Sequence, residues 1–408
     1  MSFSICLLQA VAFLDLLAVG IIIPLVPGHA RKMGANHIHV GLLGSIYAGF
    51  QLGSGPLIGS LSDLKGRKKI LVMTLLISSI AYTCFGFVTS VALLLVIRAV
   101  LGIFKQTQML TRALVADYER NEHKQSSIYG RMNAIAGAGI TLGPVIGGHV
   151  LEDNPENGFL FVAIIVGMIF FLNAGLVYFL LEDKIKRPKK KPKRESNQYL
   201  VHSLYCSIKQ SAVELYNVEW SIYWDVFLFK ALVGFAMGIY YSNYQLYLKT
   251  VYELSPKYVG YVISFQGTIG SISSLFIAYI NGFYKNDHDY SVRNFHIFAL
   301  LSLSLMGLIL ANNVIIYLIW LVPLAVGNAV GRLVTLEMIL KRCDGDHRGT
   351  LIGASNSVRS LAGVVAPMTA GLIGEYIGIV YVIYAALFST LLGVVFSFLN
   401  RRSRQKED

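Results

Sequence analysis

"GSLSDLKGRKK", residues 59–69, interrupts an otherwise apolar chain. Five of the seven residues from Asp63 to Lys69 are charged, and glycines stand at 59 and 66. On each side lies an apolar run of roughly 20 residues, the length that crosses a bilayer. The cluster therefore reads as a short polar turn between two membrane spans. Working outward, the same alternation of apolar run and charged island continues to both ends. The 408 residues are 55% hydrophobic and 14% charged, whereas a soluble domain carries about a quarter charged residues. The composition is that of a polytopic membrane protein.

Twelve spans are predicted. The first six cover 3–26, 39–62, 69–88, 91–116, 127–150 and 159–181, and the second six 221–249, 256–283, 293–311, 314–340, 349–374 and 377–400. The expected architecture is all-α, with an N-terminal six-helix bundle (1–181), a Lys- and Pro-rich linker (182–220), a C-terminal bundle (221–400) and a short tail (401–408). The second part of the linker is read as a short interfacial helix.

The net charge of +12 could suggest a nucleic-acid partner, but the basic residues sit beside spans, where they set topology. With the N-terminus inside, the cytoplasmic islands hold 24 of the 35 Lys and Arg residues, and the opposite loops hold four. This asymmetry puts both termini in the cytoplasm. Cys6, Cys84, Cys206 and Cys343 have neither metal-site nor disulfide spacing. The sequence has no phosphate-binding G-x4-G-K-[ST] loop, so no enzyme, cofactor or metal chemistry is expected.

The two halves repeat. "GRMNAIAGAGITLGPVIGG" (130–148) and "GASNSVRSLAGVVAPMTAG" (353–371) align with an offset of 223, pairing Asn133 with Asn356, Pro144 with Pro367 and Gly148 with Gly371. A 6 + 6 duplication with a substrate site between the repeats is a transporter architecture.

These features together resemble the major facilitator superfamily. Its loop signature G-x-L-x-D-x-x-G-R-[RK] is matched by Gly59, Asp63, Gly66, Arg67 and Lys68. The resemblance implies a conformational latch, in which Asp63 meets the start of the eleventh span and Arg67 pairs with Asp117. Gly59 is expected to permit close helix approach and Gly66 a tight turn. "LLLVIRAVLG" fits the family's fourth-helix element through Arg98 and Gly102. Gly130, Gly139, Gly143, Pro144, Gly147 and Gly148 fit a fifth-helix element found in antiporters, and small residues there allow tight packing. "FLDLLAVGIIIPLVP" resembles the tetracycline-antiporter-like branch, through Asp15, Gly20, Pro24 and Pro27. The stretch "GIFKQTQMLTRALVAD" is similar to the animal group called major facilitator superfamily domain-containing protein nine.

A charge within a span costs about 2.5–3.5 kcal/mol on insertion scales, which makes each one a functional candidate. Arg98, Lys105 and Arg112 recur every seven residues, nearly one helical face. Arg98 and Lys105 are the leading substrate-cavity residues, joined by Gln51, Asn133, Lys230, Tyr241, Gln266, Asn328 and Arg359. Asp15 either carries a coupling proton or neutralises Arg98 or Lys105. Tyr240, Tyr241 and Tyr244 form either a gate or an interfacial belt. "NGFYKNDHD" has lost most of the latch pattern in the second half. The expected function is secondary transport of a small organic anion or zwitterion by a monomer in contact with lipid, with proton-linked antiport as the preferred coupling. A uniporter or symporter of the same fold, and a non-transporting receptor or scaffold, are the alternatives.

Overall fold

The computed structural model describes residues 3–182, 220–284, 287, 290–342 and 348–404. Most of the linker, including its expected interfacial helix, and the last residues of the tail lie outside the described residues. Among the described residues there are twelve spanning segments and no strand. They are α1 (Phe3–Lys32), α2 (His37–Lys65), α3 (Arg67–Phe87), α4 (Val91–Tyr118), α5 (Glu122–Asp153) and α6 (Gly158–Leu180), followed by α7 (Trp220–Tyr252), α8 (Pro256–Leu275, continuing as Ile277–Gly282), α9 (Ser291–Ile309), α10 (Val314–Arg342), α11 (Arg348–Tyr376) and α12 (Tyr381–Arg404).

The first span is longer than expected. Its helix passes through a short 3-10 turn at Ile23–Leu25 and resumes over Val26–Lys32. Pro24 and Pro27 sit at first-turn positions, where their missing N–H groups leave no bond unmade. Ten of the spans are apolar enough by composition alone to cross a membrane. The two others, α2 and α8, are diluted by Gly, Ser and Gln. Large side chains such as Phe171, Phe179, Leu275 and Ile315 are exposed. In water such a surface would drive association; in a bilayer it is the lipid face. The protein is a multi-pass integral membrane protein.

The residues form two compact units, one comprising 1–34, 46–212 and 255–264 and the other 35–45, 213–254 and 265–408. Each repeats the same internal packing. In unit 1, α1 packs on α5 and α6, and α3 packs on α6 and α4. In unit 2, α7 packs on α11 and α12, and α9 packs on α12 and α10. The duplication seen in the sequence is thus present in the pairing of helices.

Three glycines of the fifth-helix element, Gly139, Gly143 and Gly147, explain the α1–α5 pairing, whereas Gly148 packs on Pro256 and Lys257 of α8. A Cβ at Gly143 would strike the backbone of Gly20 and Ile21, one at Gly139 the Phe13 carbonyl, and one at Gly147 the Ile21 carbonyl. Gly130, by contrast, has open space around it. Gly143→Ala is therefore expected to lower stability by about 1–3 kcal/mol through overpacking. Gly130→Ala should instead raise it, by up to about 1 kcal/mol, through helix propensity. Thermal denaturation of the two purified variants would show opposite signs; a loss from both would remove the packing argument.

Candidate functional site

In unit 1 the charged side chains gather where α1, α2, α4 and α6 meet. Lys105 donates from Nζ to Oδ1 of Asp15 at 2.5 Å, and Gln108 donates from Nε2 to Oδ2 at 3.2 Å. Both ion-pair side chains are buried, at 4% and 0% exposure. The Lys105 ammonium also lies 5.2 Å from the Phe170 ring centroid, close enough for a cation–π contribution. The geometry pairs Asp15 with Lys105.

Arg98 is different. Its side chain is buried between the rings of Tyr47 and Phe85, 5.5 and 5.6 Å from their centroids. Its Nε is enclosed without a hydrogen-bond partner, and it forms no ion pair among the described residues. Aromatic faces offset part of the cost of a buried guanidinium but do not neutralise it.

The expected single face of Arg98, Lys105 and Arg112 does not form, because α4 breaks between Phe104 and Thr107. The break is held by side chains reaching the backbone. Gln51 donates to the Lys105 carbonyl at 3.0 Å, Gln106 donates to the Gln51 carbonyl at 3.0 Å, and Ser54 donates to the Gly102 carbonyl at 3.3 Å. The Gly102 and Lys105 carbonyls, which flank the break, are thereby satisfied. Gln51 braces this kink. Arg112, past the break, donates to Asn133 Oδ1 at 2.8 Å on an exposed surface.

Unit 2 carries a second polar group. The Tyr241 hydroxyl accepts from Asn328 Nδ2 at 3.1 Å and Gln266 Nε2 at 3.2 Å. Arg332 lies nearby and is exposed, with no ion pair among the described residues. Lys230 donates to the Ser355 hydroxyl and feels the charge of Arg359. Tyr240 and Tyr244 are buried, and Tyr240 shares a 2.9 Å hydrogen bond with Tyr317 of α10. These two are core residues; Tyr241 alone of the three is exposed.

The Asp63–Lys69 loop is held by its own glycine and by ion pairs. Gly66 takes a φ of 99°, the region open to glycine. Arg67 bridges Asp63 (2.9 Å) and Asp117 (3.1 Å), and Lys68 donates to the Leu181 carbonyl at 2.6 Å. The close approach expected at Gly59 is absent, since the nearest atom a Cβ would meet is Met109 Cε at 3.9 Å.

Two residues escaped the sequence reading. Arg293, at the start of α9, bridges Asp287 (3.4 Å) and Glu337 of α10 (3.6 Å) and lies over the Tyr290 ring at 4.3 Å. This reproduces the Asp63–Arg67–Asp117 arrangement at the equivalent place in the repeat. Six residues separate the acid from the arginine, rather than four, so the linear pattern looks lost. Asp225, buried on α7, accepts from the Val226 N–H at 2.9 Å. A buried acid within an apolar run was the available signal.

Duplicated bundles with polar groups buried inside their spans are a transporter architecture. The model of the Major Facilitator Superfamily matches residues 8–287, and the chain belongs to that superfamily. It is 23% identical over 397 residues to the quinolone resistance protein NorA of Staphylococcus aureus (strain MRSA252), covering 97% of this chain and 95% of the relative. It is 22% identical over 417 residues to the class H tetracycline resistance protein of Pasteurella multocida, covering 100% and 98%. Among solved structures, a bacterial homologue of the human lysosomal transporter Spinster, inward-facing and unoccupied, superposes with a TM-score of 0.79 at 15% identity, covering 99% and 98%. The human organic anion transporter MFSD10 gives 0.65 at 17% identity, covering 97% and 98%. At these identities the structures speak for the fold.

Proposed function

We propose that this transporter carries a small organic anion or zwitterion by alternating access. The observation that carries the reading is Arg98, a guanidinium buried in unit 1 with no counter-ion among the described residues. A carboxylate or similar group would supply the missing charge and the bidentate acceptor a guanidinium favours. Tyr47 and Phe85 offer apolar surface beside it. In unit 2, Lys230 and Arg332 add two further cations. MFSD10, an organic anion transporter of the same fold, is in keeping with this class. The names of the quinolone and tetracycline resistance relatives leave drug-like solutes in view. A finer kinship with the animal group called major facilitator superfamily domain-containing protein nine rests on the resemblance in α4.

The anion and antiport by way of Asp15 pull against each other. An anion arriving beside Lys105 and Arg98 competes with the Asp15 carboxylate for positive charge. Relief comes when Asp15 takes up a proton, so proton and anion enter together. The electrostatics of unit 1 therefore favour proton–anion cotransport over exchange. Antiport would suit a cationic solute, which competes with the proton directly.

The test is thermal stabilisation of the purified protein by a panel of organic anions, cations and neutral metabolites, with Arg98→Gln alongside. A bound solute raises stability through its binding free energy. Anions are expected to stabilise the wild type and to lose that effect in Arg98→Gln. Stabilisation by cations or neutral compounds alone, retained in the variant, would overturn the reading.

A further inference from the structure

The break in α4 leaves an open helix end inside the membrane. Lys105 closes the first half with a φ of −77° and a ψ of 66°, and the Gln106 N–H turns back to the Phe104 carbonyl at 2.8 Å. The second half, Thr107–Tyr118, then starts afresh, well inside the span Val91–Tyr118. Its first bond runs from the Leu110 N–H to the Gln106 carbonyl at 3.0 Å. The N–H groups of Thr107, Gln108 and Met109 have no acceptor among the described residues. Gln106 stands at the capping position but gives no side-chain cap. Its amide is turned instead to the Gln51 carbonyl and the Ser54 hydroxyl, both at 3.0 Å.

A second observation points the same way. Thr107 is 1% exposed, and its hydroxyl has no hydrogen-bond partner among the described residues. Side chains of a helix tilt toward its N-terminus, so a hydroxyl on the first residue projects over the open N–H groups. Four donors thus gather at one helix end, and no acceptor meets them. Asp15 does not fill the role, since its Oδ1 takes Lys105 and its Oδ2 takes the Gln108 side chain. The helix dipole adds positive potential at the same end. At membrane depth an unsatisfied backbone group is costly, and irregular backbone is tolerated where it is buried in protein or lines a cavity. Half-helix N-termini inside a membrane receive anions for these reasons.

We propose that the break in α4 is an anion subsite, in which the N–H groups of residues 107–109 and the Thr107 hydroxyl hold one small anionic group. The donors suit a carboxylate of the solute or a free halide. The subsite takes from the proposed function only that unit 1 receives an anion, and it uses none of the contacts of Arg98.

Thermal denaturation of the full-length protein in chloride-free Tris–MES buffer, titrated with chloride, acetate or benzoate, tests this in wild type, Thr107→Val, Thr107→Ser and Arg98→Gln. Valine keeps the shape of threonine and removes the hydroxyl. Without added anion, Thr107→Val is expected to be at least as stable as wild type, because a buried hydroxyl without a partner is gone. With anion, its apparent affinity should fall by about tenfold, the weight of one hydrogen bond to a charged group, while Thr107→Ser keeps the wild-type affinity. An effect of chloride alone assigns the subsite to a free ion, and an effect of acetate or benzoate assigns it to a carboxylate. A loss of stability in Thr107→Val without anion would mean that the hydroxyl already has a partner, and would overturn the subsite. So would a wild type that none of the three anions stabilises. An anion effect lost in Arg98→Gln but unchanged in Thr107→Val overturns the subsite and leaves the proposed function standing. An effect weakened in Thr107→Val but kept in Arg98→Gln supports the subsite and removes Arg98 as the receiving group. Where Thr107→Val does not fold, Thr107→Ala removes the same hydroxyl and gives the same affinity readout.

Discussion

Asp15→Asn is expected to destabilise the protein by about 3–5 kcal/mol, because it strands a buried ammonium. The wild-type pair is short, at 2.5 Å, and enclosed on both sides. Asparagine can still accept a hydrogen bond from Lys105 through its Oδ1, but it supplies no charge, and the Phe170 ring offsets only part of that loss. Removing both charges, in Asp15→Asn with Lys105→Met, should recover most of the stability, since a buried pair replaced by apolar volume is often neutral. Thermal denaturation of the single and double variants separates the two cases. A double variant no more stable than Asp15→Asn would mean that the cost comes from lost packing rather than from an unpaired charge. A single variant as stable as wild type would mean that Lys105 finds another acceptor and that Asp15 is free for other work.

The twelve spans, their 6 + 6 repeat and the Arg67–Asp117 bridge were legible because each rests on local pattern. Hydrophobic run length, the offset between "GRMNAIAGAGITLGPVIGG" and its partner, and the ordered charges after Gly59 are all one-dimensional signals. What the sequence concealed depends on contacts between distant residues. The break in α4 is braced by Gln51 and Ser54, some fifty residues earlier, which bond to its backbone. The Arg293 cluster was hidden by its changed spacing, although the repeat put it in the right place. The fifth-helix glycines show the limit of motif matching, since Gly143 and Gly130 belong to one pattern yet one is pressed against α1 and the other is not.

The coupling argument leads to the second large effect. If anion and proton enter unit 1 together, anion affinity rises as pH falls, by up to tenfold for each pH unit while one proton is taken up per anion bound. The sign follows from charge alone. With Asp15 ionised, the group formed by Arg98, Lys105 and Asp15 has a single net positive charge; with Asp15 protonated it has two. The second state holds an anion more strongly, and by linkage the bound anion holds the proton more strongly. For the most stabilising anion of the panel, affinities at pH 6, 7 and 8 should therefore span up to about a hundredfold in the wild type. In Asp15→Asn, which imitates the protonated state, affinity should be high and flat across the same range, and in Arg98→Gln it should be weak at every pH. An anion that binds more tightly as pH rises would reverse the linkage and restore exchange as the coupling. A wild-type affinity that does not move with pH would take Asp15 out of the coupling, leave it as the structural partner of Lys105, and make the protein a carrier driven by the anion gradient alone.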